Sequence, residues 1–132
     1  MPAEAVRIGL IGAGRNTRER HIPGFQEVEG VELAAVANRS RQSGQQVADA
    51  FNIPTVYDSW QELLEDPSLD AICIGTWPYM HSTLTMAALE KGKHVLCEAR
   101  MAATVREAQA MLDASRARPE QVAQIVPSPP TF

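Results

Sequence analysis

Six short apolar runs, rich in β-branched residues, recur along the chain, and between them the apolar positions change to a helical spacing. The runs are Val6 to Ile11, Val31 to Ala37, a shorter Thr55 to Tyr57, Ala71 to Gly75, His94 to Cys97, and Val122 to Val126. Most are continuous rather than alternating, as strands buried on both faces should be. Strands separated by helical segments predict an α/β domain with a mainly parallel sheet and crossover helices. No internal repeat or low-complexity block interrupts this alternation before the C-terminal end.

Polar residues mark the helix ends. Ser59 with Glu62, and Thr104 with Glu107, have the spacing in which a capping hydroxyl and a carboxylate satisfy each other's free backbone donors. Ser40 suits a third cap, on a helix whose inner face is Val47, Ala50 and Phe51. After Val105, the positions of Ala108, Met111 and Leu112 form a stripe that fits against a sheet. Leu84 to Lys91 reads as a helix that Gly92 ends in a left-handed conformation. Six strands and about five helices fill residues 1–126. Pro127, Pro129 and Pro130 forbid a regular helix, so 127–132 reads as the start of a linker.

The 132 residues, 45% of them apolar, carry 12 basic and 16 acidic side chains for a net charge of -4. This describes one soluble globular domain, able to bury roughly two thirds of its unfolded surface without disulfide or metal. No excess of Lys and Arg is available to neutralise phosphates, which argues against nucleic acid or an anionic membrane as partner. The apolar runs fall far short of the ~20 residues of a membrane span. The N-terminal segment, with an acid and Arg before a glycine-broken run, does not read as a signal peptide, so a cytoplasmic location is expected. Cys73 and Cys97 lie in apolar stretches without ligand spacing and read as buried reduced thiols; no metal site is expected.

Candidate chemistry begins at Gly12-Ala13-Gly14-Arg15-Asn16-Thr17, between a predicted strand and a helical segment. Gly12 permits a tight turn. Gly14 lets a pyrophosphate approach the backbone where a helix N-terminus favours negative charge. Thr17 replaces the small third residue of such a turn and predicts a slightly displaced helix. About 20 residues on, where an acid would hold the adenosine ribose of NAD, stand Asn38, Arg39 and Ser40. Asn38 brings no repulsive charge, Arg39 can pair with a 2′-phosphate, and Ser40 can donate to it, which points to NADP(H) over NAD(H). A capped helix with solvated arginines is the competing reading.

Further motifs are Gly75-Thr76-Trp77-Pro78-Tyr79-Met80-His81 and Gly92-Lys93-His94-Val95-Leu96-Cys97-Glu98. With the glycine turn, they resemble the N-terminal domain of the glucose-fructose oxidoreductase and inositol dehydrogenase-like family (Gfo/Idh/MocA), over nearly the whole chain. The resemblance implies a doubly wound, mainly parallel six-stranded Rossmann sheet with helices on both faces. It also implies NAD(P) as cofactor, hydride transfer at a sugar, polyol or related substrate, and a second, substrate-binding domain. Carried over by position, Gly12, Gly14, Arg15 and Asn16 match the pyrophosphate turn, and Asn38 and Arg39 the ribose site. Thr76, Trp77 and His81 match the loop after the fourth strand, and Glu98 the acid near the nicotinamide.

Three departures stand out. Trp77 and Pro78 stand where the family commonly has Pro and Asn. Ala99 and Arg100 replace a Lys-Pro pair, so the role of that lysine is lost. The third departure is length, since a chain of 132 residues is expected to lack the substrate domain that the resemblance implies. The expectation is therefore a truncated domain or a stand-alone cofactor-binding domain, not catalytic by itself and with no catalytic residue of its own, drawn from an NADP(H)-dependent oxidoreductase. A non-catalytic dinucleotide sensor or partner-binding module, and a methyltransferase, are the alternatives; Asn38 counts against the second. An apolar surface bared by the missing domain makes a homo-oligomer an open expectation.

His81 at a helix start suits either a hydrogen bond to ribose or substrate or a structural cap. His21, beyond the glycine turn, is expected to carry no chemistry. Trp60 reads as core, and Lys91 and Lys93 as charges at a helix end.

Overall fold

A computed structural model describes residues 4–127. Its elements are β1 (Val6–Ile11), a five-residue π-helical turn (Thr17–His21) that runs into α1 (Ile22–Glu27), β2 (Val31–Ala37), α2 (Arg41–Phe51), β3 (Thr55–Tyr57), α3 (Trp60–Leu64), β4 (Ala71–Ile74), α4 (Pro78–Glu90), β5 (His94–Cys97), α5 (Val105–Arg116) and β6 (Ala123–Ile125). All six strands are parallel, in the order β3-β2-β1-β4-β5-β6. This is the doubly wound Rossmann arrangement, and the order reverses between β1 and β4, where such sheets open a crevice for ligand.

Register places the functional loops. Ile11 lies opposite both Ala37 and Ile74, and Ile74 opposite Cys97. The residues that follow, Gly12, Asn38, Gly75 and Glu98, therefore stand in one row at the C-terminal edge. Backbone bonds extend that row past the strands, from Gly12 N–H to the Ala37 carbonyl (3.0 Å), Gly75 N–H to Ile11 (2.8 Å) and Glu98 N–H to Ile74 (3.0 Å).

The core splits along the alternate sides of the strands. Ile72, Ile74, Val95 and Cys97 pack with Leu63, Leu64, Leu84, Leu89 and Met111 from α3, α4 and α5. Leu10, Val36 and Cys73 pack with Ile22 of α1 and Val47 and Ala48 of α2. The strands are two-sided as their continuous apolar runs require. Burial pushes the Cys73 thiol up to about 12 and the Cys97 thiol to about 11, so both stay protonated.

Helix ends and helix faces depart from expectation in instructive ways. Ser59 and Thr104 accept the Glu62 and Glu107 amides at 3.2 and 3.1 Å, while the reciprocal two-way box forms at Ser40, with Ser43. α4 begins at Pro78, which puts His81 in its first turn as expected, because Pro at the first helical position lacks only an amide that would be unpaired there. Gly92 does take a positive φ of 79° after it. On α2 the buried stripe is Gly44, Val47 and Ala48, with Phe51 beside it, and Ala50 is exposed. A Cβ at Gly44 would stand 3.2 Å from Val56, which shows how closely this side approaches the sheet. On α5, Met111 is buried while Leu112 and Val105 face outward.

Lys93, read as a charge at a helix end, has a further role in the fold. It is buried, and its ammonium donates to the carbonyls of Asp66 (2.8 Å) and Leu69 (2.9 Å). Desolvation holds its pKa below the usual lysine range. The predicted strand Val122 to Val126 is shortened to β6 at the sheet edge. Pro127 is exposed, and Pro129 and Pro130 lie outside the described residues. Among the described residues no helix is long and apolar enough to cross a membrane.

Candidate functional site

An open cleft of about 930 Å³ lies over the switch point, between the turn after β1, the end of β2 and the loop after β4. Of the residues singled out in the sequence, Gly12, Gly14, Asn38, Arg39, Ser40, Thr76 and Trp77 line it. Arg15, Asn16, His81 and Glu98 do not.

The two glycines of the turn are glycine for different reasons. Gly12 has φ 78°, and a Cβ there would fall 2.6 Å from Thr76 Cγ2 and 2.9 Å from the Thr76 nitrogen. Both the backbone and its neighbours demand glycine. Gly14 has no such demand, since a Cβ would meet nothing within 4 Å. What its missing side chain leaves open is the cleft. The turn leads into a helix, whose first amides have no partners within it and attract anions. The turn therefore leaves its backbone open to the cleft. Asn38 fixes it from β2, its carboxamide oxygen accepting the Ala13 N–H at 3.1 Å.

Thr17 is buried and packs on Gly75, where a Cβ would sit 2.2 Å from the Thr17 hydroxyl and 2.5 Å from the Gly12 carbonyl oxygen. The close approach that a small residue at position 17 would provide is supplied by Gly75 on the facing strand end. The helix widens here. Ile22 N–H reaches back five residues to the Thr17 carbonyl, and Pro23, lacking an amide, cannot restore the regular pattern at the next step.

At the β2 end the two arginines separate. Arg41 is engaged by Asp58 at 2.9 Å and by the Val56 carbonyl. Arg39 is exposed on the cleft, and among the described residues no carboxylate pairs with it. Ser40 is less free than its sequence position implied. Its hydroxyl accepts the Ser43 amide (3.1 Å) and bonds the Ser43 hydroxyl (3.0 Å) as the cap of α2.

The remaining candidates take other places. Arg15 points outward and pairs with Glu19 at 3.0 Å. His81 is fully buried; one ring nitrogen faces the Arg100 carbonyl (2.6 Å) and the other the Thr76 carbonyl (2.9 Å), so the ring ties together the loops after β4 and β5. Both ring nitrogens are thus taken up by backbone carbonyls, and the ring does not line the cleft. Glu98 is held by Asn16 (3.0 Å), by its neighbour's amide (3.2 Å) and by His21, a residue expected to carry no chemistry. Sequence reasoning also passed over Ser43, Tyr79 and Met80, which line the cleft; Ser43 was legible as the third residue after a capping serine. Trp60, read as core, is half-buried and contributes to the cleft wall. Among the described residues no group of three His, Cys, Asp or Glu is placed to hold a metal ion.

Residues 6–125 match the model of an oxidoreductase family with an NAD-binding Rossmann fold. The chain belongs to this Gfo/Idh/MocA family. It is 38% identical over 105 residues to an NADP(+)-dependent D-xylose 1-dehydrogenase of Haloferax volcanii, covering 80% of this chain and 32% of that protein. It is 37% identical over 110 residues to a 1,5-anhydro-D-fructose reductase of Ensifer adhaerens, covering 83% and 33%. Among solved structures, biliverdin reductase from Synechocystis sp. PCC 6803, in complex with biliverdin and NADP+, superposes with a TM-score of 0.83 at 28% identity, over 91% of this chain and 37% of that one. The chain thus spans about a third of the length of the relatives it matches. As a Gfo/Idh/MocA domain, it is an NAD(P)-binding oxidoreductase domain, and the cleft lies where that fold binds its dinucleotide.

Proposed function

We propose that this domain binds NADP(H) in preference to NAD(H), as the cofactor half of an oxidoreductase acting on a sugar, polyol or related substrate. The observation that carries the preference is Arg39, on the cleft and without a carboxylate partner among the described residues, beside Asn38 where an acid would repel a 2′-phosphate. In this reading Gly14 and the helix amides seat the diphosphate, and Arg39 pairs with the 2′-phosphate. Ser40 serves chiefly by capping α2, so that the amide end of α2 faces the same anion. When bound, the nicotinamide supplies the hydride acceptor and donor. In this reading the chain's own residues bind and orient it. Relatives such as the xylose dehydrogenase and the anhydrofructose reductase support the sugar-like substrate class.

The test is a pair of fluorescence titrations with NADPH and NADH. A charge-assisted contact of ~1.5–3 kcal/mol predicts that Arg39→Ala weakens NADPH by roughly 10- to 150-fold and leaves NADH nearly unchanged. Equal affinity for both cofactors in the natural sequence, or equal losses in the variant, would remove the preference.

A further inference from the structure

Glu98 closes β5, yet its carboxylate does not enter the cleft. One oxygen takes the Asn16 side-chain amide at 3.0 Å and also faces the His21 Nε2; the other takes the Ala99 N–H at 3.2 Å. The side chains of His21 and Glu98 are only 14% and 19% exposed. Two donors five residues apart do not normally meet on one atom, because at 3.6 residues per turn they point about 140° apart. The π turn Thr17–His21 changes this, since its wider step brings positions five apart toward one side. The Phe25 ring stacks on His21 with centroids 6.4 Å apart, and so fixes the imidazole from behind. The same β5–α5 loop is held further on by His81 at the Arg100 carbonyl.

We propose that Asn16, His21 and Glu98 form a latch that holds the β5–α5 loop against the first helix and thereby positions the nicotinamide half of the dinucleotide. The proposal rests on the cofactor reading above. All three are positioning residues. With Ala99 in place of lysine, this loop has no ammonium at that position to reach a ligand, and the placement of its β5 end depends on what Glu98 bonds, as that of its next turn does on His81. The adenosine end of the cleft, built from Asn38, Arg39 and Ser43, shares no residue with the latch.

That separation supplies the test. NADPH probes the whole site, and 2′,5′-ADP the adenosine end with the first phosphate of the diphosphate seat, without the nicotinamide half. His21→Ala should weaken NADPH by about tenfold, the loss of one bond to a charged group, with 2′,5′-ADP unchanged and His21→Gln recovering most of the loss. Without ligand, amide exchange at Ala99 to Met101 should accelerate in His21→Ala and return in His21→Gln. If His21→Ala does not fold, His21→Phe, which keeps a ring against Phe25 and removes the donor, carries the same comparison. Unchanged NADPH affinity, equal weakening of both ligands, or unchanged exchange would overturn the latch. If the natural sequence binds neither ligand, the cofactor reading fails and takes the nicotinamide role with it, while the exchange experiment still decides whether the latch exists.

Discussion

Gly75→Ala measures how tightly the first helix sits on the sheet. The added methyl would lie 2.2 Å from the Thr17 hydroxyl, 2.5 Å from the Gly12 carbonyl oxygen and 3.5 Å from the Thr17 Cβ. Overpacking of a close-packed site costs ~1–3 kcal/mol, and the upper end applies here because the Gly12 oxygen is backbone and cannot rotate aside. For a domain of this size, ~3 kcal/mol lowers the melting temperature by roughly 10 °C. Gly9→Ala is the internal control: its methyl would meet only the outer carbons of Leu69 (2.8 Å), Leu63 (2.9 Å) and Ile72 (3.4 Å), which can turn, so ~1 kcal/mol is expected. Thr17→Ala added to Gly75→Ala removes the hydroxyl clash and leaves the carbonyl clash, so recovery should be partial. Thermal melts of the four proteins, followed by circular dichroism, decide the matter. A Gly75→Ala melt within about 2 °C of the natural sequence, or full recovery by Thr17→Ala, would refute the idea that the Gly12 carbonyl sets the limit.

Other expectations follow from the same geometry. Asn38→Asp keeps an acceptor for the Ala13 amide and adds an acid at the end of β2; the NADPH to NADH affinity ratio should fall at least about tenfold, and an unchanged ratio in paired titrations would count against the ribose-site assignment. The Asp66 carboxyl is held below its ordinary range chiefly by hydrogen bonds from Ser68, against the opposing effect of its burial, with a further bond from Tyr57. Its contribution to stability is therefore complete above about pH 4 and fades as pH falls through the lowered folded value, so the stability gap between the natural sequence and Asp66→Asn, read by urea melts, should shrink toward pH 2. Cys73 and Cys97, buried with raised pKa values, should resist thiol reagents at pH 8 until the chain is unfolded by denaturant; rapid labelling of the native protein would contradict their placement.

The residues themselves determined much of this protein. The strands were legible because burial on both faces needs an unbroken apolar run, and the helix starts because Ser40, Ser59 and Thr104 act on amides only three residues away. The glycine turn and its neighbours at Asn38 and Thr76 were legible for a related reason: parallel strands deliver their C-terminal ends to one edge whatever the details of packing. Only the tertiary structure decided which side of a helix is buried. Ala48 and not Ala50 faces the sheet because α2 rotates to set Gly44 against Val56, a fit between surfaces that periodicity does not contain. The same holds for His21, 77 positions from Glu98, and for Lys93, whose burial depends on two carbonyls of a remote loop. Local pattern reports what a residue does to its own backbone, while a polar side chain's role depends on the partner that distant packing brings within bonding distance.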